Sequence, residues 1–193
     1  MEVNTAHRCE MFTGIIERQG QIVSLTPTGA GRRLVVRAPG FWDDTGPGAS
    51  VAVDGVCLTV ARADGQTAEF DVVGETLART TLGRARAGVQ VNLEKSLRPD
   101  SRLDGHFVQG HVDGVGEIVR VEQKPHESKW WFKAPESVRK YIIPKGSIAI
   151  DGISLTIVDV TADAFSVVLI PTTLKITTLG SKRAGDSVNL EAT

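Results

Sequence analysis

The sequence predicts an all-β protein that contains two copies of one small domain. The first observation is a repeated motif, VDGVCLTV at residues 53–60 and IDGISLTI at residues 150–157. The second is that apolar and polar residues alternate, or form short β-branched runs, along much of the chain. The third is that Gly, Pro, Asp and Asn interrupt these runs at intervals of about ten residues. Short strands at this spacing are typical of a small closed barrel or a sandwich.

The repeat extends over nearly the whole chain. Gly14 matches Gly110 at an offset of 96 residues, and from the Asp-Gly pairs onward the offset is 97. At that offset TTLG at 80–83 recurs at 177–180, and VNLE at 91–94 recurs at 188–191. A duplicated unit of about 85 residues explains this pattern and lies within the usual size of a domain.

Strand candidates follow in the same order in both copies. They are RRLVVRA, SVAVDGVCLTVA and AEFDVV in the first copy, and SIAIDGISLTIVDV and AFSVVLI in the second. Helix is limited to brief connectors in ETLARTTLG and in PESVRKYII, where Pro135 is near a helix start. The polar segment RPDSRLDG at 98–105 marks the boundary. We therefore expect an N-terminal extension at 1–10, a first barrel domain at 11–106 and a second at 107–193.

Composition excludes several classes of function. The 193 residues carry 22 Lys and Arg against 23 Asp and Glu, without a basic stripe, so nucleic acid is not expected as a partner. No apolar run approaches the length of a membrane span, and the N-terminus lacks the apolar region of a signal peptide. The two cysteines, Cys9 and Cys57, are too few for a disulfide framework. A cytoplasmic protein without a membrane partner is predicted.

The repeated motif predicts a pair of hydrogen-bonding side chains on one face of a strand. If Leu58 points inward, Cys57 and Thr59 share the opposite face, and Ser154 and Thr156 do the same in the second copy. A small residue and a β-branched Thr could also be chosen for packing alone. Because the pair recurs, we interpret it as a grip for the polar edge of a ring.

Two histidines distinguish the second copy from the first. His106 and His111 lie in GHFVQGHVDG, and His111 aligns with Ile15 of the first copy. A histidine close to the SLT motif could move protons near neutral pH, although a single histidine is often an ordinary surface or core residue. A zinc site made by these histidines and Cys57 matches no common ligand spacing, so no metal is predicted.

Other chemical motifs do not occur in the sequence. It has no Walker loop, and the GVG at 114–116 lacks the βαβ context of a dinucleotide fingerprint. It has no G-x-S-x-G elbow either. Two β domains with repeated polar positions and one extra histidine therefore suggest a protein that binds two similar small molecules.

The combination of motifs resembles the riboflavin synthase family of the α-subunit type over residues 11–191. The resemblance rests on MFTGIIE at 11–17, VDGVCLTV, GHFVQGHVDG, KGSIAIDGISLTI and LIPTTLKITTLG. It implies two six-stranded Greek-key barrels, each binding one 6,7-dimethyl-8-ribityllumazine. It also implies a cofactor-free transferase that moves a four-carbon unit between the two lumazines, giving riboflavin and 5-amino-6-(D-ribitylamino)uracil.

The resemblance also implies the residues of the two substrate sites. The first-barrel site is expected to contain Gly14, Ile15, Ile16, Cys57, Leu58, Thr59, Asp71, Val72, Val73, Gly74, Glu75 and Thr76, with Phe12 close by. The second-barrel site is expected to contain Gly110, His111, Val112, Lys145, Ser154, Leu155, Thr156, Leu169, Ile170, Pro171, Thr172, Thr173 and Leu174. The expected catalytic residues are His111, Ser154 and Thr156 in the second barrel, Cys57 in the first, and His106.

The resemblance leaves a second function open and bears on assembly. A non-catalytic carrier of lumazine or flavin would share the fold but would typically lack the catalytic residues, which are present here. A purely structural tandem barrel would leave the copy-specific histidine unexplained. The family forms its active site between barrels of neighbouring subunits in a homotrimer, and lumazine synthase is a further candidate partner. Because only Ala192 and Thr193 follow VNLE, we expect a weakened trimer. Chains of the family usually start at the methionine of MFTG, whereas here ten residues precede Met11.

Overall fold

The computed structural model describes residues 11–192 and contains two closed antiparallel barrels of six strands each. The extension predicted at residues 1–10 lies outside the described residues, as does Thr193. The strands of the first barrel are β1 (Arg18–Thr28), β2 (Gly31–Arg37), β3 (Ser50–Val53), β4 (Val56–Ala63), β5 (Thr67–Val73) and β6 (Gln90–Lys95). Those of the second are β7 (Gly114–Gln123), β8 (Ser128–Lys133), β9 (Ser147–Ile150), β10 (Ile153–Val160), β11 (Ala164–Leu169) and β12 (Ser187–Ala192).

Both barrels have the same Greek-key topology. In the first, the order of hydrogen-bonded neighbours is β1-β2-β5-β4-β3-β6, so that β5 returns beside β2 after the β3-β4-β5 meander. In the second, the order β10-β11-β8-β7-β12-β9 is the same arrangement. Even the bulge in the first strand recurs, at Ile22/Ser24 and at Ile118/Arg120. The prediction of two barrels of this type is confirmed, and the sandwich alternative is wrong.

Short helices connect the strands, as the sequence predicts. They are α1 (Gly74–Arg79), α2 (Glu136–Arg139) and α3 (Pro171–Ile176), with single 3-10 turns at Thr81–Arg84 and Thr178–Ser181. Pro135 lies at the N-cap of α2. Sequence reasoning missed α3, although the TTLG repeat that follows both α1 and α3 pointed to it. Within residues 11–192, none of the helices has the length and apolar character needed to cross a membrane.

The two Asp-Gly pairs meet at a pseudo-two-fold axis between the barrels. Asp54 and Asp151 have φ angles of 47° and 46°, and each forms a tight turn with the glycine that follows it. A Cβ atom on Gly55 would lie 2.6 Å from the backbone nitrogen of Gly152. Only glycine allows the two turns to pack this closely.

Two asparagines link the barrels across this axis. The side-chain amide of Asn92 donates to the carbonyl oxygen of Asp151 (2.9 Å), and that of Asn189 donates to the carbonyl oxygen of Asp54 (2.8 Å). Their side-chain oxygens accept from the backbone N–H groups of Thr178 and Thr81, each in the opposite barrel. The VNLE repeat is therefore an inter-barrel contact as well as a strand.

The segments that precede β1 and β7 cross between the barrels. Phe12 and Val108 pair in an antiparallel bridge, with N–H to carbonyl distances of 2.7 and 3.0 Å. Beyond the bridge, Ile16 packs in the hydrophobic cluster of the second barrel, and Val112 packs against that of the first. Each barrel thus completes its core with a side chain from the segment that leads into the other barrel.

The buried charges at the axis are not symmetric. The ammonium group of Lys182 lies 2.8 Å from a carboxylate oxygen of Asp151, whereas the first copy has Ala85 at the matching position. Burial raises the pKa of Asp54 well above its usual range, and the nearby charge of Asp151 adds to this effect. Burial also raises the pKa of Asp151, against the opposing effect of Lys182. Asp54 therefore carries the less compensated charge.

Asp54→Asn is expected to stabilise the protein at pH 8. Asparagine tolerates positive φ and keeps an acceptor for the N–H of Asn92, which lies 2.7 Å from the Asp54 carboxylate. Because the pKa of Asp54 is raised in the folded state, the free energy of unfolding falls as pH rises from the usual carboxyl range to that raised pKa. Removing the charge should recover about 1–2 kcal/mol.

Chemical denaturation of both proteins from pH 4 to pH 8 measures this effect. The stabilisation should be largest at pH 8 and smallest at pH 4, where Asp54 is protonated in the folded state and only partly ionised in the unfolded state. A stabilisation that is equal at all pH values, or a loss of stability at pH 8, would contradict the assignment of an uncompensated charge.

Candidate active site

The polar pair of the repeated motif lies on the outer face of each barrel, as the alternation predicts. In β4, Leu58 is buried in the core, Cys57 is half-buried and Thr59 is exposed. In β10, Leu155 packs against the core of the second barrel, Ser154 is half-buried and Thr156 is exposed. The prediction that the polar pair shares the face opposite the leucine is confirmed in both copies.

A cleft of about 200 Å³ opens beside Cys57. One wall is α1, which contributes Glu75 and Thr76, and the opposite wall is the crossing segment that leads into the second barrel. The full lining is Val56, Cys57, Glu75, Thr76, Arg79, Thr80, Gly110, His111 and Val112. The cleft therefore presents a thiol, an imidazole, a hydroxyl and an ion pair between Glu75 and Arg79.

This lining corrects the grouping of residues by copy. The sequence assigned Gly110, His111 and Val112 to the second-barrel site, but the backbone N–H of Cys57 donates to the carbonyl oxygen of Gly110 at 2.9 Å. His111 consequently belongs beside Cys57 and not beside Ser154 and Thr156. The physical reason is the crossing of the two segments, which sequence order alone does not reveal.

The same exchange forms the site of the second barrel. The backbone N–H of Ser154 donates to the carbonyl oxygen of Gly14 at 2.8 Å. A Cβ atom on Gly14 would lie 2.6 Å from the Ser154 Cβ, so the segment runs directly against this side chain. The grouping of Gly14, Ile15 and Ile16 with Cys57 was therefore wrong, because this segment lies against the second barrel.

His106 supplies the imidazole of the Ser154 site. Its Nδ1 atom lies 2.6 Å from Ser154 Oγ, and its backbone N–H donates to the carbonyl oxygen of Thr13 at 3.1 Å. Burial lowers the pKa of His106, so its neutral form is favoured at neutral pH. Its Nε2 atom is buried and has no protein hydrogen-bond partner among the described residues. The pair can exchange a proton between an imidazole nitrogen and a hydroxyl.

The remaining residues of the first predicted site have different surroundings. Of the stretch 71–76, Glu75 and Thr76 line the cleft. Asp71 instead accepts two hydrogen bonds from Arg33 on the neighbouring strand, and Val72 is buried in the core. Val73 and Gly74 are exposed at the start of α1.

The equivalent stretch of the second barrel has the same form. Leu169 is buried in the core, and Thr173 and Leu174 are half-buried on α3. The exposed members of this stretch are Ile170, Pro171 and Thr172. Lys145 is exposed and adopts a φ angle of 68°, with its backbone N–H bonded to the carbonyl oxygen of Ile157.

Phe12 is not at the surface of either site. Its side chain is fully buried, in a small cluster with Ala52, Val108 and Ala149 between the barrels. Phe12 is therefore a core residue between the two barrels. The expectation that Phe12 binds substrate remains a prediction.

Two glutamates of the site were missed by sequence reasoning. Glu94 and Glu191 are buried at the ends of β6 and β12, and their carboxylates accept hydrogen bonds from the crossing segments. The sequence feature that could have indicated them is the glutamate that ends the repeated VNLE, because it follows two core residues and one buried asparagine. Across residues 11–192, no three His, Cys, Asp or Glu side chains converge as metal ligands.

Comparison with known proteins identifies the repeated unit. The family model described as "Lumazine binding domain" matches residues 13–96 and again residues 109–193. The chain is 48% identical to a riboflavin synthase of Mycobacterium bovis over 94% of this chain and 92% of that protein. It is 44% identical to that of Actinobacillus pleuropneumoniae and 40% identical to that of Bacillus subtilis, over 94% of this chain and 84% of each relative.

Solved structures agree with this relationship. A LumP protein in complex with 6,7-dimethyl-8-(1'-D-ribityl) lumazine superposes with a TM-score of 0.84 at 25% identity, covering 93% of this chain and 98% of the other. A LumP complex with flavin mononucleotide gives a TM-score of 0.82 at 27% identity, covering 94% and 99%. With two matched lumazine-binding domains and riboflavin synthases among its relatives, the chain belongs to the riboflavin synthase family of lumazine-binding proteins.

Proposed function

We infer that this protein is a riboflavin synthase. It converts two molecules of 6,7-dimethyl-8-ribityllumazine into riboflavin and 5-amino-6-(D-ribitylamino)uracil by transfer of a four-carbon unit. The observation that carries the inference is an identity of 40–48% with curated riboflavin synthases over 94% of the chain. The two barrels, each with its own polar site, match the need of the reaction for two identical substrates.

The substrate itself supplies the electron sink for this chemistry. The C7 methyl group of the lumazine is acidic because its carbanion delocalises into the ring. The protein must therefore bind two rings, remove and return protons, and hold the reacting carbons in contact. Positioning of this kind can contribute about 7–11 kcal/mol, and general acid–base catalysis a further hundred- to ten-thousandfold in rate.

The two sites suit different parts of this task. At the second barrel, neutral His106 lies against the Ser154 hydroxyl, an arrangement that can accept and return a proton near neutral pH. At the first barrel, Cys57 and His111 line one cleft, where a thiol can polarise or add to the ring. Thr59 and Thr156 stand two residues further along the same strand faces.

The two sites of one chain are separated by the crossing segments. Gly14 and Gly110 each lie two residues beyond the Phe12–Val108 bridge, and the antiparallel pairing sends them in opposite directions. Reacting atoms, by contrast, must approach to about 3–3.5 Å. This separation supports a reaction between the first barrel of one chain and the second barrel of another. We propose that the chain self-associates in the cytoplasm as the homotrimer of the family. Lumazine synthase is a further proposed partner.

A carrier function is the second candidate. It is favoured by the likeness to LumP, whose solved complexes contain a lumazine or a flavin. Against it stand the higher identity to the riboflavin synthases and the His106–Ser154 and Cys57–His111 arrangements, which a carrier does not require.

Incubation of the purified protein with 6,7-dimethyl-8-ribityllumazine is expected to yield one riboflavin for every two lumazines consumed. The reaction should proceed without added nucleotide and should be unaffected by a chelator, because the ring is its own electron sink. Absorbance of both species, with chromatographic quantification, measures the ratio. Tight binding of lumazine without formation of riboflavin would favour the carrier.

Cys57→Ala and His111→Ala are each expected to lower kcat/KM about tenfold or more, and the effects should be less than multiplicative in the double variant. When two side chains act together in one cleft, the second substitution removes little further activity, whereas substitutions at independent positions lower activity independently. The matched control pairs His111→Ala with Ser154→Ala, which lie beside different substrate molecules even where two barrels meet, so their losses should be closer to multiplicative than those of the Cys57 and His111 pair. Coupling of His111 to Ser154, with none to Cys57, would restore the grouping by copy.

Specific activity is expected to rise with protein concentration, because two sites of different chains must meet. Turnover measured over a dilution series, beside sedimentation velocity at the same concentrations, tests this. The transition in activity should coincide with the transition in mass. A strictly monomeric protein with constant specific activity would mean that both rings react within one chain.

A further inference from the structure

The crossing segments connect each barrel to the site of the other. The carbonyl oxygen of Gly14, which leads into the first barrel, accepts from Ser154 of the second. The carbonyl oxygen of Gly110, which leads into the second barrel, accepts from Cys57 of the first. The position of each site wall thus depends on whatever fixes these segments.

Glu94 fixes the first of these segments. One carboxylate oxygen accepts from the backbone N–H of Thr13 at 2.6 Å and from its hydroxyl at 2.7 Å, and the other accepts from the N–H of Gly14 at 3.0 Å. The side chain is only 4% exposed and forms none of the ion pairs among the described residues. These three donors are therefore its compensation for burial.

Glu191 fixes the second segment in the same way. Its carboxylate accepts from the backbone N–H groups of Gln109 at 2.6 Å, Gly110 at 2.9 Å and His111 at 3.0 Å. It is 6% exposed and likewise forms no ion pair within residues 11–192. Three consecutive N–H groups directed at one carboxylate leave this segment little freedom.

The contact between segment and site is too close to absorb a shift. A Cβ atom on Gly110 would lie 2.6 Å from the Cys57 Cβ, the same distance found between Gly14 and Ser154. Thr13, which Glu94 holds twice, also accepts from the backbone N–H of His106. A displacement of either segment must therefore move a chemical group of the site.

We propose that Glu94 and Glu191 are crossed positioning residues: each carboxylate belongs to one barrel and sets the geometry of the site on the other. Glu94, on β6 of the first barrel, positions His106 and Ser154. Glu191, on β12 of the second barrel, positions His111 and Cys57. The proposal rests on the proposed function only in treating these two places as substrate sites.

The electrostatics are consistent with this role. Burial raises the pKa of both Glu94 and Glu191, while hydrogen bonds from the segments oppose the rise. A buried carboxylate remains charged only while these donors bind it, because the hydrogen bonds replace the hydration that burial removes. Glutamine would keep one acceptor oxygen and turn an NH2 donor toward a backbone N–H of the segment, so loss of the carboxylate should release the segment.

Glu94→Gln and Glu191→Gln test the proposal, each as the control for the other. All proteins carry Cys9→Ser, so that Cys57 is the remaining thiol of the two in the sequence. The first readout is the alkylation rate of Cys57, and the second is the titration of His106 followed by NMR. Neither requires turnover, so a protein that makes no riboflavin can still confirm or refute the positioning role.

The expected pattern is crossed. Glu191→Gln should raise the alkylation rate of Cys57 at least threefold and leave the titration of His106 unchanged. Glu94→Gln should raise the pKa of His106 toward its ordinary value, because burial of the ring is what lowers it, and should leave Cys57 unchanged. Changes confined to the barrel that carries the substitution, or equal changes at both sites, would overturn the proposal.

Thermal unfolding of each variant establishes that the fold is retained. If a Gln variant does not fold, Thr13→Val provides a test at the Glu94 link, since it removes the hydroxyl that donates to Glu94 at 2.7 Å and accepts from the N–H of Ile15 in the same segment at 3.3 Å. This variant should shift the titration of His106 and leave the alkylation of Cys57 unchanged. An unshifted His106 in a folded Thr13→Val protein would count against the link.

Discussion

The antiparallel bridge between Phe12 and Val108 is the contact on which both sites depend. It brings the two leading segments past each other between the barrels, so that each delivers a carbonyl oxygen to the opposite motif strand. The fully buried Phe12 and the two glycines on the pseudo-two-fold axis make this close approach feasible. Without the crossing, Cys57 and Ser154 would be polar side chains on two separate barrels, and neither would have a histidine beside it.

A symmetric scaffold therefore carries unequal chemistry. The barrels share topology, bulges, turns, and the asparagine and glutamate contacts of the VNLE repeat. They differ at the proposed reacting groups: Cys57 and His111 line one site, and Ser154 and His106 form the other. The axis differs too, because Lys182 compensates Asp151 and Ala85 leaves Asp54 without an equivalent partner. The repeat thus supplies two candidate binding sites, and a few residue differences make them distinct, as the proposed reaction between two identical molecules requires.

The sequence predicted the fold well because its signals are local. Alternation places Leu58 inward and Cys57 outward, and the Asp-Gly pairs take the tight turn that their φ angles require. The exchange of segments was not predictable, because His111 stands next to barrel-two residues in sequence and next to Cys57 in space. Glu94 was overlooked for the same reason, since its role depends on donors 80 and 81 residues away. The domain boundary at 106/107 stays a prediction, and the crossing segments show why no single residue divides the two sites.

We propose that each substrate site combines a strand of one barrel with the segment that leads into the other. A crystal structure of the protein with 6,7-dimethyl-8-ribityllumazine bound in both barrels tests it most directly. One ligand is expected to contact Cys57 together with His111, and the other to contact Ser154 together with Ile15 and to lie beside His106. A ligand that contacts Cys57 together with Ile15, or Ser154 together with His111, would contradict it.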